Sequence, residues 1–286
     1  MEPKHLTVRD RIVHSAVPRR RWSALTIALV GIAGLLILSP LAGASSAGHP
    51  TITLTAPYTG VTTYASTSTS SSGCGMGKVP RAPSFDATTG VGGFSMKTDA
   101  TSCGPFYGDS GGASAGLTVF VPIPAYSGNN VIHAKWTVKA TVTSRIGGAD
   151  CLLTSATYSY CISEAYSSLG AYAYLYDQTN GSYWFADSNW AGDYTFTELY
   201  DICYAGNCSL QLTPNVHLNV DVPVTFTVHA GGLDASHAYL LEVSFSGYAS
   251  VYDSAYQGTL TGASEFASVA MAGPGLGATL NSVTIR

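Results

Sequence analysis

The stretch from Ile132 to Val142 alternates strictly between apolar and polar side chains, with the apolar ones, including Trp136, at the even positions. Successive side chains of a β-strand point to opposite faces, so this period of two predicts a strand with one buried and one solvated face. The alternation recurs between Val216 and Val228. Pro223 interrupts it, which predicts either an edge position or a bend between two strands.

The rest of the body shows the same kind of pattern in shorter pieces. Further strands are predicted at 51–58, 170–176, 183–187, 194–200, 238–246, 248–252, 264–271 and 278–285, with a hairpin loop at Asp177–Ser182. No window repeats apolar residues at helical spacing. We therefore predict an all-β chain folded as a single antiparallel β-sandwich, jelly-roll-like, with two packed sheets and roughly ten to fourteen strands.

The body divides into two parts by composition. Residues 48–116 are predicted to hold the first strand and an irregular segment of the same domain, rich in Ser, Thr and Gly, with weak strands near Gly92–Thr98 and Ala115–Val121. The run Ser66–Ser72 predicts a loop or short linker, because it has almost no apolar surface to bury. Residues 117–286 are predicted to form the main β-sandwich.

The N-terminus has the layout of an export signal. Residues 1–23 carry six basic and two acidic side chains, and Ala24–Leu38 is an uncharged apolar run that ends before Pro40. The small residues Ala42–Ala47 suit cleavage. We predict a basic cytoplasmic head at 1–23 and a signal-peptide apolar and cleavage region at 24–47. The alternative is an uncleaved anchor, in which residues 24–41 touch the membrane.

Cysteine usage agrees with a secreted or cell-surface protein. All six cysteines follow the apolar run, and an even number in an oxidising compartment predicts three disulfides. Pairing of sequence neighbours predicts Cys74–Cys103, Cys151–Cys161 and Cys203–Cys208. No CxxC spacing is present, so we predict no zinc site, no other metal and no cofactor.

The charge of the chain argues against a nucleic-acid partner. The formal net charge is −4, and after residue 23 the chain carries seven basic and fifteen acidic side chains. A nucleic-acid binder needs a basic stripe for phosphates, which this chain does not have.

Two short motifs resemble those of proteases. Gly108–Gly112 reads GDSGG, which is similar to the nucleophile segment of chymotrypsin-like serine proteases and also fits G-x-S-x-G. The context does not fit, because the only histidine between the apolar run and Ser110 is His49 and a strand, not a helix, follows Ser110. We expect a flexible loop there.

Asn189–Gly192 reads NWAG and resembles a motif of secreted all-β glutamic proteases. Gln211, Gln257, Glu242 and Glu265 would be the candidate partners, but none lies in a matching motif. We expect Trp190 to be a core or rim aromatic.

A glycosidase site and a metal site are two further possibilities for this sequence. The four glutamates of the body show no paired-acid spacing of the kind that a glycosidase needs, and Glu198 and Asp201 face oppositely on a strand. His217, Asn219 and Asp221 share one strand face, which suits either metal ligation or a solvated surface. We assign no catalytic residue.

The aromatic residues give the strongest functional hint. Tyr172, Tyr174 and Tyr176 fall on one face of their strand and Ala171, Ala173 and Leu175 on the other, with Tyr183 and Trp184 across the hairpin loop. Tyrosine stacks on sugar rings and is common at protein interfaces. We predict a non-catalytic protein that binds glycan or a surface protein through Tyr172, Tyr174, Tyr176, Tyr183 and Trp184, or an envelope component. A secreted hydrolase, either an acid protease or a glycosidase, is the alternative.

Overall fold

The computed structural model describes residues 51–54, 60–69, 75–101, 109–124, 128–148, 150–153, 157–261 and 263–286. Within these ranges every regular element is a β-strand, and no helix is present that could cross a membrane. Gly48–Arg286 forms one compact unit. The predicted cytoplasmic head at 1–23 and the signal or anchor region at 24–47 lie outside the described residues.

The described strands form two large antiparallel sheets and one small sheet. Sheet A contains β1 (Ile52–Leu54), β3 (Gly75–Asp86), β4 (Val91–Thr101), β6 (Gly128–Gly147), β10 (Asp187–Ser188), β13 (Val216–Leu233), β16 (Ser264–Ala270) and β17 (Gly277–Ile285). Sheet B contains β2 (Val61–Ser68), β5 (Asp109–Ile123), β8 (Tyr158–Asp177), β9 (Tyr183–Phe185), β11 (Gly192–Tyr204), β12 (Asn207–Leu212) and β14 (Tyr239–Tyr256). The small sheet pairs β7 (Asp150–Leu153) with β15 (Gly258–Thr261). The predicted all-β sandwich of packed antiparallel sheets is confirmed.

Strand β6 is the centre of sheet A. It pairs with β13 along one side, while β16 and then β17 pair with successive halves of the other side. The predicted alternation holds, since all six even-numbered residues from Ile132 to Val142 are buried. Pro223 lies within one continuous strand, β13, opposite Thr137 of β6. Its carbonyl accepts a hydrogen bond from Asn189, so its backbone groups point away from β6 and its missing N–H breaks no pairing with that strand.

Sheet B has the order β12, β11, β8, β14, β5, β2, and β9 also pairs with β8. The loop between β8 and β9 lies where the hairpin was predicted, at residues 178–182. The odd-numbered residues of β8 point toward sheet A and are buried, apart from Ala171, which is partly exposed. The even-numbered residues point to the outer side.

The core fills the space between the two sheets. Trp136 of β6 is 1% exposed, and its ring meets Phe245 of β14 edge-on with centroids 5.0 Å apart. Phe85 of β3 approaches the same ring, with centroids 6.3 Å apart. Because these rings come from both sheets, the contact holds the two layers together.

The Ser-, Thr- and Gly-rich part at 48–116 is more regular than predicted. It supplies β1 to β5 in its described residues, and β2 covers Ser66–Ser68 of the run that was expected to be a loop or linker. Strand β2 is an edge strand with mostly exposed side chains, so backbone pairing with β5 supports it without burial of apolar surface. Seventeen strands are present in the described part of the chain, against the ten to fourteen expected.

Glycines explain how β3 passes close to β5. A Cβ on Gly77 would lie 1.8 Å from the carbonyl oxygen of Gly112, and one on Gly111 would lie 2.9 Å from the backbone of Gly75. Gly111 and Gly112 belong to the GDSGG motif. Residues 109–112 of that motif therefore lie in a strand, not in the flexible loop expected, and the absence of a side chain at Gly77 and Gly111 allows the two backbones to approach closely.

Two of the predicted disulfides are present. Cys151–Cys161 ties β7 to β8, and Cys203–Cys208 joins directly opposed residues of β11 and β12. The third predicted pair, Cys74–Cys103, lies outside the described residues.

A buried carboxylate fastens the β8–β9 loop to the loop before β14. Asp177 is 1% exposed, and its Oδ2 lies 2.7 Å from Nδ1 of His237. The backbone N–H groups of Thr179 and Asn180 donate to its Oδ1. Burial alone would raise the pKa of the Asp177 carboxyl, but these hydrogen bonds outweigh burial and lower that pKa below its ordinary value.

We therefore expect Asp177 to add an acid-sensitive component to stability. A carboxyl with a lowered folded-state pKa stabilises the fold above its unfolded-state pKa, and this contribution is lost as the pH falls through the folded-state value. Urea unfolding at ~pH 7 and ~pH 3 should show a smaller pH-dependent loss in Asp177→Asn than in the wild type. The same substitution at exposed Asp187 is the control, and an equal reduction in both variants would contradict the role of Asp177.

Candidate functional site

The outer side of sheet B carries the tyrosines that the sequence singled out. Tyr172, Tyr174 and Tyr176 lie on the outer side of β8, and Tyr172 is 54% exposed. Strand β9 pairs antiparallel with β8 and sets Tyr183 opposite Tyr176 and Phe185 opposite Tyr174. Four of the five predicted binding residues therefore lie together on one surface.

The rings of this group contact each other in a regular way. Tyr172 and Tyr174 have nearly parallel rings, with 6° between their planes and 6.5 Å between centroids. Tyr183 and Phe185 both meet Tyr174 edge-on, with centroids 6.4 Å and 6.2 Å away. These contacts restrict the orientation of the four rings.

Trp184 is separated from the other four predicted residues. Strand parity places it opposite Leu175, on the inner side of sheet B. Its ring packs against the core and lies 6.2 Å from the ring of buried Tyr239. The sequence prediction grouped Trp184 with the tyrosines because it is near them in the chain. In the structure, the next residue, Phe185, lies on the outer side of sheet B instead.

The aromatic surface extends well beyond the predicted residues. One further group stacks at the other end of β8 and a second near its middle. They comprise Tyr158, Tyr160 and Tyr256, and then Tyr166, Tyr194 and Tyr248. We call the outer side of sheet B with these three groups the tyrosine face. From residue 158 to 176 it spans roughly 60 Å at ~3.3 Å per strand residue.

The sequence contained a signal for these additional residues. Tyr248, Tyr252 and Tyr256 recur at even spacing along β14, as do Tyr194 and Tyr200 along β11, which is the parity expected for one strand face. The signal was incomplete because it does not say which strands are neighbours. Pairing of β11 and β14 with the two sides of β8 joins them into one surface.

Tyr64 continues the tyrosine face toward the β2 edge. A Cβ on Gly116 of β5 would lie 2.5 Å from Cε1 of the Tyr64 ring, so the ring lies across the space that the glycine leaves open. Burial raises the pKa of the Tyr64 hydroxyl, and the neighbouring Tyr172 adds to this effect, while a hydrogen bond with Ser246 opposes it.

The tyrosine face carries carboxylates and no basic group. Glu164 and Glu198 lie directly opposite each other on β8 and β11, and Glu242 lies opposite Tyr174. The seven basic residues of the compact unit all lie in strands of sheet A or directly after β17, and they are Lys78, Arg81, Lys97, Lys135, Lys139, Arg145 and Arg286. Sheet B is therefore acidic, whereas sheet A carries all the positive charge of this unit.

Local environment changes the acidity of these groups. Burial raises the pKa of Glu164, and the adjacent Glu198 carboxylate raises it further. Burial also raises the pKa of Glu242, although the hydroxyl of Tyr174 donates a short hydrogen bond to its Oε2 and opposes this effect. For Tyr174, burial first and that hydrogen bond second raise the pKa above its ordinary value. Sequence reasoning missed the Glu164–Glu198 pair because the two residues come from different strands.

The residues of the two protease-like motifs lie in strands or hold loops in place. Ser110 lies exposed on β5 opposite Tyr252, whereas His133, His217 and His229 belong to strands of sheet A. Asn189 donates to the carbonyl of Pro223 and accepts from the N–H of Thr225, so it fastens its loop to β13.

The partners suggested for that motif do not converge in the structure. Trp190 packs partly buried against the core, and its Nε1 donates to Asp193 over 2.9 Å. Glu242 lies on the outer side of sheet B, Glu265 is buried between the sheets, and Gln211 is exposed on β12.

The remaining candidate sites have local partners. His217 shares a hydrogen bond of 2.7 Å with Thr143, and Asp221 forms an ion pair of 3.1 Å with Lys139. In the described part of the chain no three His, Cys, Asp or Glu side chains group as metal ligands do. A cleft of about 330 Å³ at one end of sheet A is lined by Asp99, Arg145 and Glu265, among others.

That cleft does not bring two acids together on one surface. Asp99 lies opposite Phe266, on the outer side of sheet A, whereas Glu265 points between the sheets, where Ser163 donates to it over 2.6 Å. The guanidinium of Arg145 lies 4.4 Å from the centre of the Phe266 ring, which holds it along the wall.

No known family model matches this sequence, and none of the curated proteins shows significant similarity to it. The tyrosine face is the candidate functional site of this protein.

Proposed function

We propose that the protein is exported and acts as a non-catalytic binding protein that holds an extended neutral glycan on the tyrosine face. The observation that carries the proposal is the row of packed, outward-facing aromatic rings along β8, with Tyr172, Tyr174, Tyr183 and Phe185 at one end. An exposed surface of aromatic rings with hydroxyls suits stacking on successive sugar rings.

The charge of the face supports a neutral ligand over an acidic one. A uronate or sulfated polymer would place its negative groups near Glu164, Glu198 and Glu242, with no basic group of sheet B to pair with them. Like charges at short range cost binding energy, and complementary charge is what excludes wrong partners. Hydroxyl-rich neutral sugars avoid that cost.

Export is the second part of the proposal. The basic head, the apolar run and the small residues at 24–47 have the order of a signal segment. The two disulfides in the described part of the chain fit an oxidising compartment outside the cytoplasm.

The test is binding of neutral polysaccharides by the wild type and by Tyr172→Ala/Tyr174→Ala. Removal of two outward-facing rings at the centre of one group should lower affinity by at least ~10-fold, as loss of aromatic anchors does at other binding surfaces. Affinity electrophoresis or titration calorimetry measures this, and circular dichroism verifies that the variant keeps its strands.

The control removes an aromatic ring from the other sheet. Phe266→Ala, on the outer side of sheet A, should leave glycan binding unchanged. Equal binding by the double tyrosine variant and the wild type, or absence of binding to every neutral glycan tested, would overturn the proposal.

A second candidate rests on the Glu164–Glu198 pair. Directly opposed residues on antiparallel strands have Cβ atoms ~5 Å apart, which is near the carboxylate separation of retaining glycosidases, and a raised pKa suits a general acid. Release of reducing ends from a bound glycan by the wild type but not by Glu164→Gln would favour hydrolysis over binding alone.

A further inference from the structure

The hairpin of β11 and β12 ends sheet B with an open edge. Ala205 and Gly206 have φ values of 50° and 82° and form the tight two-residue turn that joins the strands. In the described part of the chain, β12 pairs with β11 alone. Asn207–Leu212 contains no charged residue and no proline, and all six of its residues are exposed.

The edges of sheet A are protected, in contrast. Strand β3 carries Lys78, Pro80, Arg81 and Pro83 and has two register irregularities, and a further edge is formed by the three-residue β1. The remaining edge is β13, which the two-residue β10 covers only in part and which carries Asp221 and Pro223 on its uncovered length. Charges, prolines, bulges and short strands are the features by which proteins prevent edge-to-edge pairing. Strand β12 shows none of these features.

Apolar side chains line the open edge. Leu210 and Leu212 are 63% and 62% exposed. They lie opposite Asp201 and Leu199, on the side of sheet B that faces the core elsewhere, but at this end of the sheet they stay uncovered. Two exposed leucines at alternate positions give the edge an apolar strip that a partner strand can cover.

The backbone of β12 has bonding groups directed away from β11. The N–H of Thr213 donates to the carbonyl of Glu198, and hydrogen-bonded pairs alternate along an antiparallel ladder. Residues 207, 209, 211 and 213 therefore bond to β11, while the N–H and C=O groups of Cys208, Leu210 and Leu212 point outward. The same three residues hold the outward backbone groups and the apolar strip.

We propose that two copies of this chain pair through β12 around a two-fold axis, with Leu210 of each copy opposite Leu210 of the other. Two strands related by such an axis are antiparallel, so Leu210 would face Leu210, and Cys208 of each copy would face Leu212 of the other, at hydrogen-bonded positions. The leucines of both copies then lie on one side and cover each other. Since neither strand carries charge, the contact desolvates no ion.

The other edge of sheet B fits this role less well. Strand β2 is also uncharged, but apart from the partly buried Val61 its core-side positions, Thr63, Ala65 and Thr67, offer little apolar surface to a partner strand. The pairing through β12 does not depend on glycan binding. It would join the two tyrosine faces into one surface across the dimer.

The test compares the oligomeric state of the full-length wild type, Leu210→Lys and Leu152→Lys by sedimentation velocity over a range of concentrations. Leu210→Lys would set two ammonium groups directly opposite each other at the axis and should raise the dimer dissociation constant by at least ~10-fold. Leu152 is 67% exposed on β7, so Leu152→Lys is the matched control and should dimerise like the wild type.

Hydrogen exchange measures the contact itself. In the wild type at high concentration, the amides of Leu210 and Leu212 should exchange slowly, and dilution or Leu210→Lys should release them. A monomeric wild type, an equal effect of the two lysine variants, a dimer with unprotected β12 amides, or a series of larger assemblies would each overturn the two-fold pairing.

Discussion

Replacement of Trp136 by alanine is expected to lower the free energy of unfolding by ~3–5 kcal/mol, the usual range for loss of a fully buried large aromatic. Trp136 is the largest fully buried side chain among the described residues, and it contacts Phe245 of sheet B and Phe85 of β3. Alanine would leave a cavity between the two sheets. The lost contacts include those that hold the layers together.

Trp136→Phe should cost less than Trp136→Ala. The indole Nε1 is buried and has no hydrogen-bond partner in the described part of the chain, so phenylalanine removes volume but breaks no bond there. Urea unfolding followed by circular dichroism measures both variants. Leu152→Ala, at an exposed leucine, is the control and should stay within ~0.5 kcal/mol of the wild type. A loss of that small size for Trp136→Ala would contradict the assigned core.

Replacement of Gly77 by alanine is expected to lower the free energy of unfolding by ~3 kcal/mol or more. This is the upper end of the range for substitutions that overpack a tightly packed site. The added Cβ would lie 1.8 Å from the carbonyl oxygen of Gly112 and 2.6 Å from its carbon. Both atoms are backbone, so no side chain can rotate away. Strand β3 or strand β5 must move instead.

Gly170→Ala is the matched control for this change. Gly170 also lies in a strand of the sandwich, but a Cβ there would have its nearest contacts at 3.8 Å and 3.9 Å, which are ordinary van der Waals distances. We expect a change within ~0.5 kcal/mol for Gly170→Ala by the same urea measurement. Equal effects of the two substitutions would show that β3 and β5 do not approach as closely as described.

The features predicted well from the sequence are local ones. The alternation at 132–142 identified the buried face of β6, and the spacing of Tyr172, Tyr174 and Tyr176 put them on the side of β8 opposite Ala173 and Leu175. The two described disulfides join cysteines that are neighbours in the sequence. Each of these follows from residues within about ten positions of one another.

Features that depend on strand pairing were not predictable in this way. Trp184 lies on the inner side of sheet B because of its register with β8, and Glu198 is adjacent to Glu164 because β11 pairs with β8. Gly111 of the GDSGG motif has a packing role because β3 passes over β5. In each case the two partners come from different strands.

The all-β class of the body and the buried faces of its clearest strands could be predicted from the amino-acid sequence, because side-chain direction alternates within one strand and hydrophobicity can be read along it. The order of the strands within each sheet could not be predicted in this way, since pairing and register depend on contacts between distant residues. That pairing assembled the tyrosine face from β8, β9, β11 and β14 and left β12 at an open edge.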